Sequence, residues 1–204
     1  MGHLNILKGA FTGKVGQVVG AKWKNKNTIR VYSKPAYTNT PPQQIIRTGF
    51  AEISSYVALF ADQIKPFSAL NTKGMTVRNA IIKLNRDMLV DGSLLISDLL
   101  ISRGGLPNIR YNDYDEISPT EGFKITWTPS SAATISDRAL VVGVAVIPDH
   151  YIAAVNSAPN TAGEMIINCQ LPSNAKVHIH YYLIDYRGSS KVASMSGYDT
   201  FNAS

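Results

Sequence analysis

The stretch "KVHIHYYLIDY" (residues 176–186) alternates with a period of two, which is the pattern of a β-strand between two environments. Its two sides hold Val177, Ile179, Tyr181 and Leu183 on one, and His178, His180 and Tyr182 on the other. Upstream, "FKITWT" (123–128) alternates in the same way. Further strand-like runs, separated by turn signals, are "ALVVGVAVI" (139–147), "GEMIINCQL" (163–171) and "SKVASMSGY" (190–198). Strands at this spacing predict an antiparallel β-sandwich over residues 111–204.

Residues 38–110 predict a linker followed by a helical segment. Pro41 and Pro42 suit the first turn of a helix. The apolar residues that follow form one stripe at helical spacing: Ile46, Phe50, Ile53, Val57, Phe60 and Ile64. This stripe packs either on its own domain or, as a coiled coil, on another subunit. A second helix is expected at about 74–90, and "DGSLLISDLLISRGGLPNI" (91–109) is expected to form short strands and turns.

Residues 1–37 predict a glycine-rich arm built on a β-hairpin. In "GKVGQVVGAKWKNKNTIRVYSK" (13–34), two β-favouring runs flank the polar turn "NKN". Alternation places Lys22 and Lys24 on one face of the first run, and Ala21 and Trp23 on the other. The whole chain is therefore expected to be mainly β with α, an α+β fold with three segments: 1–37, 38–110 and 111–204.

The charge of the chain is concentrated in this arm. Residues 1–50 contain eight Lys or Arg and no acid, so residues 51–204 carry the remaining −2 of the net +6. An arm whose charged side chains are all positive indicates a charged partner or a neighbouring subunit. Nucleic-acid contact through residues 8–34 and docking on another protein both remain open. Under either interpretation the contact residues are Lys14, Lys22, Trp23, Lys24, Lys26 and Arg30.

Other chemical groups in the sequence favour structural interpretations. His178 and His180 share a strand face, and the pattern favours a solvated face over a metal site, which needs a third ligand. Asp113, Asp115 and Glu116 are expected in a solvated loop, because calcium-loop spacing is absent. Cys169 is expected to be a buried structural cysteine.

No sequence motif for catalysis is present, so we expect a protein that is not an enzyme and that has no cofactor and no metal. No apolar run reaches the length of a membrane span, and no secretory signal is visible. The protein is expected to be made in the cytoplasm, from which it could leave inside a virion or other extracellular particle.

Several segments, taken in order, resemble one protein family. They are "LKGAFTGKVGQVVGAKWKNKNTIR", "NTPPQQIIRTGF", "DLLISRGGLP" and "VHIHYYLIDYRGSSKVASMSGY". They look like a family of bacterial and phage-encoded proteins of unassigned function, whose members begin with the signature GKxGxxVGxxWKG…IR and end in an immunoglobulin-like region. The signature is matched by Gly13, Lys14, Gly16, Val19, Gly20, Trp23, Lys24, Ile29 and Arg30, and Asn25 departs from the usual glycine. Trp127 also resembles the core tryptophan of immunoglobulin-like or fibronectin-type domains.

We therefore expect a non-catalytic structural or assembly protein, a phage- or prophage-derived component of virions. It would form homo-oligomers, and contact other structural proteins, through its N-terminal arm. One alternative is a nucleic-acid-associated protein that binds phosphates through the basic hairpin. Another is a surface- or carbohydrate-binding module with Tyr182, Tyr186 and Tyr198 as contacts.

Overall fold

A computed structural model of the 204-residue chain describes residues 3–5, 10–23, 26–34, 40–70, 72–87, 95–118 and 120–203. Internal contacts divide the chain into two compact units, Met1–Thr40 and Pro41–Ser204. The first unit is a small sheet. The second contains both the helices and the sandwich, so the helical segment and the sandwich belong to one unit.

The first unit is an antiparallel meander in which each strand pairs with the next along the chain. Its strands are β1 (His3–Asn5), β2 (Ala10–Val15), β3 (Val18–Trp23) and β4 (Lys26–Val31). β1 and β4 form the two edges of this sheet.

The predicted hairpin is confirmed by the antiparallel pairing of β3 with β4, in which Trp23 lies opposite Lys26. The first of its two expected runs also forms a second hairpin, because it turns back at Gly16 and Gln17. Val15 pairs with Val18 across this two-residue loop, and Gly16 has a φ of +60°. Glycine adopts a positive φ without steric cost, and tight hairpin loops require it. The amide of Tyr32 donates a hydrogen bond to the Gln17 carbonyl at 2.7 Å, which ties the turn to the end of β4.

The second unit is mainly β and contains an antiparallel β-sandwich. One sheet has the order β5-β6-β9, and the other has the order β8-β7-β10-β11, with β12 also paired to β10. The strands are β5 (Arg110–Ser118), β6 (Gly122–Thr128), β7 (Leu140–Ile147), β8 (Ile152–Pro159), β9 (Glu164–Ile167), β10 (Lys176–Arg187), β11 (Ser190–Ala193) and β12 (Gly197–Asn202).

The core between the two sheets confirms the alternation in β6. Phe123, Ile125 and Trp127 are buried there, together with Val177 and Ile179 of β10. The indole of Trp127 donates a hydrogen bond to the Asn160 carbonyl at 2.9 Å, so its polar N–H is satisfied inside the core.

Within the described residues, three helices cover the outer face of the larger sheet. They are α1 (Pro41–Ala58), α2 (Ala61–Ile64) and α3 (Val77–Leu84), and the Thr76 side chain caps α3 by accepting from the Asn79 amide. A second core joins helical residues such as Ile53 and Ile81 to Val144 and Ile184 of the sheet. β7 and β10 are consequently buried on both faces, and the unit has three layers.

The second predicted helix, expected at about 74–90, begins at Val77. Residues 86 and 87 continue the helical conformation beyond α3, and residues 88–94, including Met88, lie outside the described residues. From residue 95 to 109, where short strands were expected, the described backbone contains a 3-10 turn at Ile96–Asp98 and a single bridge between Leu106 and Ser194.

Candidate functional site

The register of the N-terminal sheet sorts its side chains by chemistry. Directly opposite residues of antiparallel strands point to the same face, and the face alternates along each strand. One face, here called the apolar side, is formed by Gly13, Val15, Val18, Gly20, Lys22, Asn27, Ile29 and Val31. The other, here called the basic side, is formed by Thr12, Lys14, Val19, Ala21, Lys26, Thr28 and Arg30.

The apolar side carries large side chains that contact mostly solvent. Val31 is 75% exposed, Ile29 is 63% exposed and Val15 is 49% exposed. Beside Ile29 in the register lie Gly20, which is buried, and Gly13, which is exposed. Large apolar side chains exposed together on one face are typical of a surface that contacts another element.

The basic side holds cations without acidic partners. Lys14, Lys26 and Arg30 are exposed, and residues 1–40 contain no Asp or Glu. None of the ion pairs formed by the described residues involves these three cations. The ammonium of Lys14 lies 3.7 Å from the centroid of the Tyr32 ring, a cation–π contact that holds the aromatic ring beside the sheet.

The predicted contact residues of the arm therefore divide between the two faces. Lys14, Lys26 and Arg30 share the basic side, while Lys22 lies on the apolar side, opposite Asn27. Trp23 pairs with Lys26 at the end of β3, but its side chain, like the whole of Lys24, lies outside the described residues. The division was not visible in the sequence because it depends on the turn at Gly16, which sets the register of three strands.

The predicted helix stripe also divides into two parts. Ile53, Val57, Phe60 and Ile64 are fully buried in the second core, which is the intradomain packing that the stripe allowed. Phe50 and Ile46, about one and two turns before Ile53, are 49% and 44% exposed. The stripe is thus continuous in sequence, but only its C-terminal part is covered within the chain.

The prediction of a solvated face for the two histidines of β10 was wrong. His180 has no exposed surface and His178 is buried, because α1 lies over this face of the sheet. The hydroxyl of Tyr56 lies 2.9 Å from Nε2 of His180, and the hydroxyl of Tyr198 lies 2.7 Å from Nδ1 of His178. Alternation indicated two faces correctly, but it could not show that helices cover the second one.

Burial keeps both imidazoles neutral. Desolvation, with a smaller contribution from neighbouring His178, lowers the pKa of His180 to about 3. Burial and nearby Lys176 lower the pKa of His178, against a smaller opposing effect of Asp149. Within the described part of the chain, no group of three His, Cys, Asp or Glu side chains is placed to hold a metal ion.

The acidic run before the sandwich is part of β5, so the expectation of a loop was wrong. Tyr111 and Tyr114 of this edge strand stack on Tyr181 and Phe201, which anchors the strand to the sandwich. Asp115 and Glu164 each lie 3.6 Å from the ammonium of Lys124 between them. Asp113 and Asp115 of this strand are exposed at a sheet edge, a usual protection against unwanted strand pairing, whereas Glu116 is half-buried.

The tyrosines proposed for carbohydrate contact are held by the fold. Tyr182 is buried and donates a hydrogen bond to the Phe67 carbonyl, and Tyr186 donates to the Pro66 carbonyl. Tyr198 is bonded to His178. Cys169 is buried and free, as predicted, and burial raises its thiol pKa to about 11, which disfavours the reactive thiolate.

Comparisons with known proteins give limited similarity. No family model matches the chain, and no curated protein matches it. Among solved structures, the chain is similar to the fn3 domain of human collagen alpha-1(XX) chain, known from solution structures. The match has 16% identity and a TM-score of 0.34, and covers 50% of this chain and 87% of that domain. None of the helices in the described residues is long and apolar enough to span a membrane.

Proposed function

We propose that this chain is a non-catalytic structural protein that assembles into homo-oligomers through its N-terminal sheet. In this assembly, the apolar side of the sheet of one copy packs on the exposed start of α1 in a second copy. The sheet of the second copy packs in the same way on α1 of the first. The observation that carries the proposal is the exposure of Ile29 and Val31 on one side of a sheet of only four short strands.

Such a sheet needs a cover to be stable. Small antiparallel sheets gain independent stability only when an apolar face is packed against another layer. All six residues of β4 are exposed, so this strand contributes apolar surface without burying it. Covering that surface would contribute about 25 cal/mol for each Å² removed from water.

Charge favours the body of another copy over another sheet as the cover. Residues 1–40 hold seven of the 20 basic residues and none of the 14 acids, a charge of +7, which leaves 13 basic residues against 14 acids, or −1, in residues 41–204. Two sheets packed face to face would bring two +7 units together, whereas a sheet on a helical body meets no such repulsion. On that body, the exposed side chains of Ile46 and Phe50 form an apolar stripe that can pack against the apolar side of the sheet.

The available area favours a reciprocal pair. The three six-residue strands that form the apolar side lie about 4.8 Å apart and span a face on the order of 300 Å². One sheet-on-helix contact then buries on the order of 600 Å² in total, which is the size of a lattice contact, whereas two contacts reach about 1,200 Å², the lower end of the range for stable interfaces. A twofold dimer with two exchanged arms satisfies this requirement.

Light scattering after size exclusion tests the proposal with two variants of one strand. Ile29→Asp places a charge on the apolar side, and Thr28→Asp, one residue away, places the same charge on the basic side. We expect dimers or larger oligomers for the wild type and for Thr28→Asp, and monomers for Ile29→Asp. A monomeric wild type at about 100 µM, or equal assembly of both variants, would refute the proposal.

We further propose that this assembly occurs in a phage- or prophage-derived virion. The resemblance of the arm to the signature of a bacterial and phage-encoded family supports this location. Other structural proteins of that particle would be further partners. Negative-stain images of the purified protein, and detection of the protein in purified particles, test this part separately from the dimer.

A further inference from the structure

We propose that the basic side of the N-terminal sheet is a binding site for single-stranded nucleic acid, with Lys14, Lys26 and Arg30 as phosphate contacts and Tyr32 as a stacking group. This site lies on the face opposite the assembly surface. It is therefore independent of the proposed oligomer: a monomer would bind through the same side chains.

The spacing of the cations suits a chain of phosphates. Lys14 and Arg30 lie in one register column with Val19 between them, about 9.6 Å apart across two strand spacings. Lys26 and Arg30 lie four residues apart on β4, a separation of about 14 Å. Three flexible cations over such a surface do not converge on a single small anion, but they can contact successive phosphates of one strand.

The aromatic ring beside these cations favours nucleic acid over an acidic protein. Tyr32 is 43% exposed, and its ring is held by the ammonium of Lys14 at 3.7 Å. Single-stranded nucleic acids combine phosphates with unpaired bases that stack on such rings. An acidic peptide offers carboxylates alone, and would leave the ring unused.

The sheet also provides a matched control for charge. Lys22 is exposed like Arg30, but it lies on the apolar side. Removing either side chain lowers the net charge equally, so only a site on the basic side distinguishes them.

Fluorescence anisotropy with a labelled oligothymidine of about 20 nucleotides, titrated with the full-length protein, tests the site. The salt is varied from about 50 to 200 mM. Three phosphate contacts predict that log K falls with log salt with a slope near −2, since each contact to a single strand contributes about −0.7. Arg30→Ala should reduce the slope by about 0.7, Arg30→Lys should retain it, and Lys22→Ala should leave it unchanged. Tyr32→Leu should weaken binding without changing the slope, because it removes stacking only.

Three results would overturn the inference. One is no binding at about 50 mM salt with protein at about 100 µM. Another is an equal loss of slope in Arg30→Ala and Lys22→Ala, which would indicate net charge in place of a site. The third is equal competition by polyglutamate of the same charge, which would identify the surface as one for acidic proteins. If Ile29→Asp no longer assembles but still binds the oligothymidine, the inference stands, because that substitution affects only the proposed oligomer.

Discussion

Acidification should destabilise the helical layer through His180. This side chain lies between α1 and the sheet. Tyr56 of α1 and Phe60, at the N-cap of α2, face it from one side, and His178 of β10 and Tyr198 of β12 are its other neighbours. Its pKa is about 3 in the fold, because burial penalises the charged form, whereas an unfolded histidine has a pKa near 6.5.

The sign and size of the effect follow from linkage. Above about pH 7, His180 is neutral in both states and contributes nothing to pH dependence. Below about pH 6.5 the unfolded chain binds a proton that the folded chain does not, so stability falls by about 1.4 kcal/mol per pH unit until about pH 3. At about pH 4.5 the loss from this one residue is about 2 to 3 kcal/mol.

Urea unfolding followed by circular dichroism at several pH values between about 4.5 and 7.5 measures this loss. In His180→Gln the pH dependence of the unfolding free energy should be smaller than in the wild type by about one proton. Tyr56→Phe removes the hydrogen bond and leaves the imidazole buried, so it should lower stability by about 1 kcal/mol at every pH and retain the wild-type pH dependence. Identical pH dependence in His180→Gln and the wild type would refute the reasoning, because His180 would then titrate equally in both states.

Three further substitutions test the packing. Phe60→Ala, at the N-cap of α2, should cost about 3 to 5 kcal/mol in chemical denaturation. Phe50→Ala in α1 should change stability by less than about 0.5 kcal/mol and weaken assembly instead; equal costs would contradict the assigned burial. Gly122→Ala should cost about 2 kcal/mol or more, since φ is +100° and the new methyl group would meet the Ile167 carbonyl; an unchanged melting temperature would argue against this geometry. Tyr151→Gly should stabilise by about 1 kcal/mol, because Tyr151 has a φ of 55° and is 83% exposed, and a loss of stability would show that its ring packs.

Alternation within single strands was a sound guide to the sandwich. The pattern of Phe123, Ile125 and Trp127 identified a buried face correctly, because a period of two is a local property of the strand. The same reasoning failed for His180, since period two shows that a strand has two faces and not what lies over each of them. In this protein α1 covers the second face, and the contacting residues Tyr56 and His180 lie more than 100 residues apart in sequence.

The candidate site was only partly predictable for a similar reason. The glycines and lysines of the arm indicated an interaction surface, but the sorting of Lys22 from Arg30 depends on strand register. That register depends in turn on Gly16, which the sequence offered as one of several glycines without indicating which one turns the chain. The exposure of Phe50 could not be predicted either, because the apolar stripe of the sequence runs from Ile46 to Ile64 without a break.

Mixing two assembly-defective variants tests the central claim most directly. Ile29→Asp has a damaged sheet and an intact α1 stripe, while Phe50→Asp has the reverse. Sedimentation velocity of each variant alone should show monomers. The equimolar mixture should associate more weakly than the wild type, because it has one intact sheet-on-helix contact, but more strongly than either variant alone at the same total concentration. A mixture that associates no more than the separate variants up to the highest concentration measured, while the wild type forms dimers, would contradict sheet-on-helix docking.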